Sequence, residues 1–342
     1  MTEQPFLMNQ WYVAAHSAEV AHRPLARRIC GVPLVFWRKQ DKTVVAIDDR
    51  CPHRKYPLSK GALAGDDIEC PYHGLRFGPD GRCTLIPAQS EIPAGFGSRA
   101  FPVVETTHLV YVWMGEAGKA DTALVPDFFE NSAPGWKAMP DYLHIDANWQ
   151  LIVDNLLDLT HLTFVHKTTL ASPGIQENPL EVVVDGDRVV ARREMHDVDP
   201  APIFHTMRKF EGNIDRYQNI TLILPSHVHI RVEATPAGKS DDPQRLHHVV
   251  LNHLTPETER TTHYFWSISR RMKIDDPKIS DLLHRMNKKA FDEDVGVLRE
   301  QQRMIDTDSS PLVNLAADTA VNEARRIIRR KFAEEAATPA RV

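Results

Sequence analysis

The chain reads as an α+β protein, with a small all-β domain followed by an α+β domain whose antiparallel sheet is flanked by helices. Three observations lead there. First, residues 8 to 115 alternate short apolar runs (PLVFWRK, TVVAIDD, FPVVETT, LVYVWMG) with turns at Gly61, Gly65, Gly78, Pro79 and Gly81. Second, strand-like runs beyond residue 141 give way to long helical patterns. Third, 342 residues exceed what one ordinary core fills. The divisions fall at 1–115, a connecting segment 116–140 rich in Gly, Pro and Ala, and 141–342.

Taken in order, the second domain opens with a helix over about 148 to 163. Strand-like runs VVARREM, HVHIRVEA, HHVVLNHL and THYFWSIS follow. A long helix spans about 277 to 304, with Asp275 or Asp276 as N-cap and Pro277 at the first helical position. Its apolar stripe is Ile279, Leu282, Leu283, Met286, Ala290, Val297 and Leu298. A last helix covers about 316 to 335. Its basic run from Arg325 to Lys331 reads as a solvated face, with an acidic docking partner as the alternative.

Composition narrows the class. Hydrophobic residues make up 42% and charged residues 25%, as in a soluble globular protein. A net charge of −5 gives no reason to expect nucleic acid. The amino terminus lacks the pattern of a signal peptide, and no apolar stretch approaches the ~20 residues of a membrane span. Four cysteines are too few for a secreted disulfide scaffold, so a cytoplasmic location is expected. Cys30 and Cys83 read as buried thiols.

The stretch DDRCPHRKYPLSKGALAGDDIECPYHG (48–74) carries Cys51-x-His53 and Cys70-x-x-His73. Four such donors could hold zinc, but structural zinc sites usually pair Cys with Cys and His with His. One of each per loop suits a cluster in which one iron takes both thiolates and the other both imidazoles. That is the ligand set of a Rieske 2Fe–2S centre. Pro52 and Pro71 stiffen the loops, and Gly74 permits close backbone approach. On these residues the chain resembles the Rieske family. Respiratory members carry an additional cysteine in each loop; neither loop here does, so the resemblance is to the oxygenase branch. Lys55-Tyr56 departs from it, since oxygenases most often have Gly and a small residue there.

A second constellation is Asn155, Asp158, His161 and His166. On a helix Asp158 and His161 lie about 60° apart. His161 and His166 are about 140° apart and converge only if the helix ends between them. An amphipathic core helix with unrelated histidines is the plain alternative. With an electron donor upstream, a mononuclear Fe(II) held by two His and one carboxylate is the natural acceptor. Among Asp292, Glu293 and Asp294, Asp294 lies about 40° from Ala290 on the apolar stripe, while Asp292 points about 160° away. Asp294 is therefore chosen as third ligand, and Glu293 is next.

The resemblance spans nearly the whole chain. It is nearest the subgroup of vanillate and dicamba O-demethylase oxygenases and toluenesulfonate methyl-monooxygenase oxygenase. It implies that His161, His166 and Asp294 bind iron, that Asn155 supports them, and that Asp158 links His161 to His73 of a neighbouring subunit in a head-to-tail homotrimer. It also implies a monooxygenase hydroxylating a methyl or methoxy carbon of an anionic aromatic with O2. The chain has no flavin or nicotinamide fingerprint, so a separate NAD(P)H-dependent flavin/ferredoxin-type reductase is expected. Ring cis-dihydroxylation is the enzymatic alternative; an electron carrier or zinc-stabilised binding protein is the non-enzymatic one. For substrate contacts, Arg231 on an alternating strand could grip a carboxylate or sulfonate, with a solvent-facing ladder as the alternative. Asn252 and His253 fall near positions that touch substrate in relatives, with a supporting or core role as the alternative.

Overall fold

The computed structural model describes residues 5–167, 178–308 and 310–337, apart from the side chains of Pro202 and Thr206. The chain folds into two units, Met1–Asp127 with Thr255–Glu259, and Phe128–Leu254 with Arg260–Val342.

The first unit contains β1 (Gln10–His16), β2 (Leu25–Ile29), β3 (Val32–Arg38), β4 (Val44–Asp48), β5 (Ala62–Ala64), β6 (Asp67–Glu69), β7 (Arg76–Phe77), β8 (Cys83–Leu85), β9 (Ala100–Phe101), β10 (Val103–Thr106) and β11 (Leu109–Met114). They form three small sheets, ordered β1-β11-β10, β2-β3-β4-β9 and β5-β6-β7-β8. Short strands between Gly and Pro turns produce such small sheets, and the longer β11 buries all six of its side chains. One apolar cluster gathers Trp37, Leu58, Ile68, Leu75 and Phe77 around Cys51 and Cys70. The unit is completed from far downstream. The N–H groups of Cys30 and Gly31 donate to the carbonyls of Pro256 (2.8 Å) and Glu257 (3.0 Å), and the Thr255 hydroxyl donates to Val13 O at 2.7 Å.

The second unit is built on β12 (Lys137–Ile145), β13 (Glu181–Asp185), β14 (Arg188–Val198), β15 (Ile214–Ile223), β16 (His227–Pro236), β17 (Leu246–Pro256) and β18 (Thr262–Arg270). Their order is β12-β18-β17-β16-β15-β14-β13. Helices α1 (Trp149–Leu157), α2 (Leu162–Val165), α3 (Pro202–Met207), α4 (Pro277–Ile305) and α5 (Thr319–Ala337) accompany the sheet. Residues of α1, α4 and α5 share one core with the sheet, including Trp149, Ile152, Leu283, Leu298, Ile327 and Trp266. Each of the Leu and Ile side chains, fully buried, contributes roughly 1.5–3 kcal/mol. Asp276 caps α4, accepting from Lys278 N and Ile279 N.

Four expectations need correction. β12 begins at Lys137, inside the expected connecting segment. The helix expected over 148 to 163 is two helices, broken where Asp158 turns extended (φ −101°, ψ 109°). The cause is local: the Asp158 carboxylate accepts from Thr160 N (2.8 Å) and Thr160 Oγ1 (3.0 Å), and this competes with helix continuation. On α4, Leu282 and Val297 of the expected stripe are exposed. The basic run on α5 is partly consumed within the unit: Arg325 pairs with Asp154 (2.6 Å), and Arg330 and Lys331 both pair with Asp187.

Candidate active site

The two cysteine loops are built alike. Cys51 N–H donates to Tyr56 O (2.9 Å) and Lys55 N–H to Cys51 O (2.8 Å). In the second loop Cys70 N–H donates to Leu75 O (2.8 Å) and Gly74 N–H to Cys70 O (2.9 Å). The buried Asp49 carboxylate braces the first loop by accepting from Ser59 N and Ser59 Oγ at 2.6 and 2.7 Å. Burial nevertheless holds that carboxyl above its ordinary range. Cys51 and Cys70 are buried, whereas His53 and His73 are exposed, with ring centroids 4.6 Å apart. Sulfurs inside and paired imidazoles at the rim fit a two-iron cluster with chemically different ends. Burial and the neighbouring Cys70 thiol push the Cys51 thiol up in the absence of a metal, so a bound cation is what would hold it as thiolate.

In the second unit, His161 precedes α2 and His166 follows it, so a single turn of helix separates them. Asp294 reaches them from α4 and is 7% exposed. Its Oδ1 lies 3.2 Å from His166 Nε2 and 3.6 Å from His161 Nε2. The three donor atoms lie within 4.8 Å of one another. Each imidazole is oriented through its other nitrogen. His161 Nδ1 lies 2.5 Å from Asp158 O, and His166 Nδ1 lies 2.8 Å from Glu293 Oε2. These acceptors require Nδ1–H, which leaves both Nε2 lone pairs facing Asp294. Burial holds His161 below the usual imidazole range. Burial works against charge on His166 too, but Asp294 and Glu293 outweigh it and raise that imidazole. Asn155 Nδ2 donates to Asp294 Oδ1 at 3.3 Å. Two imidazoles and one carboxylate oxygen on one side, with space opposite, fit a mononuclear iron. Asp158 meets His161 through its backbone carbonyl, not its carboxylate.

Asn155, His161, His166 and Asp294 line a cavity whose other walls include Leu159, Ile203, Phe204, Ile230, Val232 and Phe291. Arg231, Asn252 and His253 are not among its lining residues. Strand alternation explains this: Ile230 and Val232 face the cavity, so Arg231 between them turns away. Its Nε donates to Glu233 Oε1 at 2.7 Å. Asn252 is buried and donates to Val228 O (2.8 Å) while accepting from Tyr264 (2.6 Å). His253 packs beside His227 and Phe128. The sequence reading missed Arg216, Gln218 and His248, all buried cavity residues. Glu293, the next candidate ligand by helical phase, instead holds His166.

Fold and paired metal-fitting sites define an oxygenase component of the Rieske class. Residues 10–102 match the Rieske [2Fe-2S] domain, and residues 145–334 match the vanillate O-demethylase oxygenase C-terminal domain. The chain belongs to the family of vanillate O-demethylase oxygenases. It is 34% identical to the toluene-4-sulfonate monooxygenase system iron-sulfur subunit of Comamonas testosteroni, over 96% of this chain and 98% of that one. It is 33% identical to the vanillate O-demethylase oxygenase subunit of a Pseudomonas species, over 96% of both. Among solved structures, dicamba monooxygenase bound to 3,6-dichlorosalicylic acid superposes with a TM-score of 0.93, at 33% identity over 97% of this chain and 99% of that one. Dicamba monooxygenase with non-heme iron and dicamba gives 0.86, at 32% identity over the same shares.

Proposed function

We propose that this chain is the terminal component of a monooxygenase that uses O2 and two electrons from a separate reductase to hydroxylate a methyl or methoxy carbon of an anionic aromatic compound. The observation that carries this reading is the convergence of His161 Nε2, His166 Nε2 and Asp294 Oδ1 at an otherwise largely apolar cavity. The relatives support the chemistry, being a toluene-4-sulfonate monooxygenase subunit and a vanillate O-demethylase oxygenase subunit. Those activities do not favour ring dihydroxylation, and a bare electron carrier would have no use for the second site.

Cys51, His53, Cys70 and His73 would hold the 2Fe–2S cluster, and His161, His166 and Asp294 the Fe(II). When bound, these groups supply electron storage and dioxygen activation. The rest falls to the chain. Asp158 O and Glu293 fix the imidazole tautomers; Asn155 steadies Asp294; Leu159, Phe204 and Phe291 exclude water and seat the ring. A methoxy carbon once hydroxylated is a hemiacetal, which collapses to phenol and formaldehyde. We further place Asp158, half-buried with its carboxylate on Thr160, as the bridge to His73 of a neighbouring copy in a head-to-tail homotrimer. An NAD(P)H-dependent flavin/ferredoxin-type reductase and a cytoplasmic setting complete the proposal. Among the described residues no helix is long and apolar enough to cross a membrane.

The experiment is a screen with a surrogate reductase, scoring formaldehyde and benzylic alcohol across methoxybenzoates, methylated benzoates and aryl sulfonates. Metal analysis should find about three irons and two acid-labile sulfides per chain. Colourless protein with one zinc per chain overturns the reading.

A further inference from the structure

The cavity contains a buried cation that, among the described residues, meets no carboxylate. Arg216 on β15 is 5% exposed, and its Nε and Nη1 have no hydrogen-bond partner among the described residues. Its Nη2 donates to Gln218 Oε1 at 2.9 Å, a neutral acceptor. Its guanidinium carbon sits 5.0 Å from the Phe204 ring centroid. Desolvating a guanidinium and leaving two of its nitrogens idle is unfavourable, and a folded protein tolerates it where a ligand completes the set.

The surroundings sharpen the charge requirement. Gln218 pairs across the sheet with Val232 on one side and Arg193 on the other, and Val232 pairs with His248. Arg193 is also 5% exposed, with Nε and Nη1 unpartnered among the described residues, so a second positive charge stands on the same sheet face, opposite Gln218. Burial, then Arg193, brings Arg216 down to about 10, which leaves it a cation at neutral pH. Burial, helped by Arg216, holds His248 at about 3, so that imidazole is neutral, and its Nδ1 has no partner among the described residues. The cavity's own carboxylate, Asp294, is engaged by His161, His166 and Asn155. Arg216 and Arg193 make this part of the sheet face positive.

We propose that Arg216 is the residue that selects an anionic substrate, receiving the ring's carboxylate or sulfonate on its idle N–H groups. The planar guanidinium suits either oxyanion, and Phe204, Ile230 and Val232 offer the apolar surface that the attached ring needs. Arg231, the grip expected from sequence, is satisfied by Glu233, whereas Arg216 lines the cavity with N–H groups left for a ligand. This inference rests on the oxygenase reading only in taking this cavity as the substrate site.

The test is calorimetric binding to the metal-loaded enzyme, with 4-methoxybenzoate, toluene-4-sulfonate and the neutral 4-methoxybenzamide as probes. Wild type should bind at least one anion about tenfold or more tightly than the amide, and the two anions reveal whether carboxylate or sulfonate is preferred. Arg216→Met should weaken that anion on the order of 100-fold and leave the amide unchanged, raising KM with kcat nearly intact. Arg216→Lys should recover part of the loss. Equal wild-type affinity for amide and anions overturns the proposal, as does an equal loss of both in Arg216→Met. If Arg216→Met fails to fold, the wild-type comparison and Arg216→Lys still decide. Discrimination in binding without product from any probe sustains the anion anchor and defeats the oxygenase reading. Equal binding and equal turnover of anion and amide do the reverse.

Discussion

Lys55 and Gly74 hold the same place in two loops of one design. Each follows its cysteine by four residues, donates its N–H back to that cysteine's carbonyl, and adopts a left-handed backbone, with φ of 60° and 70°. Glycine takes that conformation freely; lysine does not. The lysine that departs from the family's usual glycine is thus a strained residue in a glycine position. Its neighbour Tyr56 lies 5.7 Å from Tyr72, whose ring is 3.9 Å from His73.

Lys55→Gly should therefore stabilise the first unit. Relief of about 1–2 kcal/mol of left-handed strain is set against about 0.5–1 kcal/mol of added chain entropy, for a net gain of up to about 1.5 kcal/mol. Gly74→Ala should do the opposite, with the new Cβ 3.1 Å from Pro87 Cγ. Denaturant titration followed by cluster absorbance measures both.

His161→Ala should leave the cluster spectrum intact, lose the mononuclear iron and abolish turnover. Retained product formation would remove the assignment of the second site. Glu293→Gln keeps shape but weakens the acceptor for His166 Nδ1–H, so iron affinity should fall about 10–100-fold in chelator competition.

Asp158→Asn separates two roles. Asn can still accept from Thr160 N, and the backbone carbonyl that holds His161 is unchanged. Both metal contents should survive while cluster-to-iron electron transfer stops, seen as a cluster that stays reduced in a single-turnover mix with substrate and O2. Normal re-oxidation would leave Asp158 a purely local turn residue.

Arg325→Ala removes the partner of the Asp154 carboxylate, which α1 carries next to Asn155. The pair is partly exposed, with side chains 26% and 20% accessible, so the expected loss is about 1–3 kcal/mol, between surface and buried ion pairs. Thermal unfolding of the wild type and variant checks it.

What the sequence revealed depended on how local each signal was. Cys51, His53, Cys70 and His73 sit on two short loops whose spacing is itself the message. Asp294 emerged from helical phase, because α4 is long and capped where Asp276 and Pro277 indicate. The break at Asp158 was hidden, since an Asx turn inside an apolar run looks like helix. Arg216 was hidden for a different reason. Alternation on a strand separates two faces but cannot say which lies inside, and a charged residue is by default assigned to water. Here the fold buried Arg216 and left Arg231 half in solvent, paired with Glu233.

Residues 255–259 complete the first unit although the rest of it ends at Asp127. A gene fragment stopping there would lack the carbonyls that Cys30 and Gly31 rely on and the hydroxyl held by Val13. The electron-carrying part of this enzyme is consequently not a cassette that can be cut out or swapped by two points on the DNA. Recombination between relatives would have to carry a small downstream patch along with it, which ties the inheritance of one half to the other.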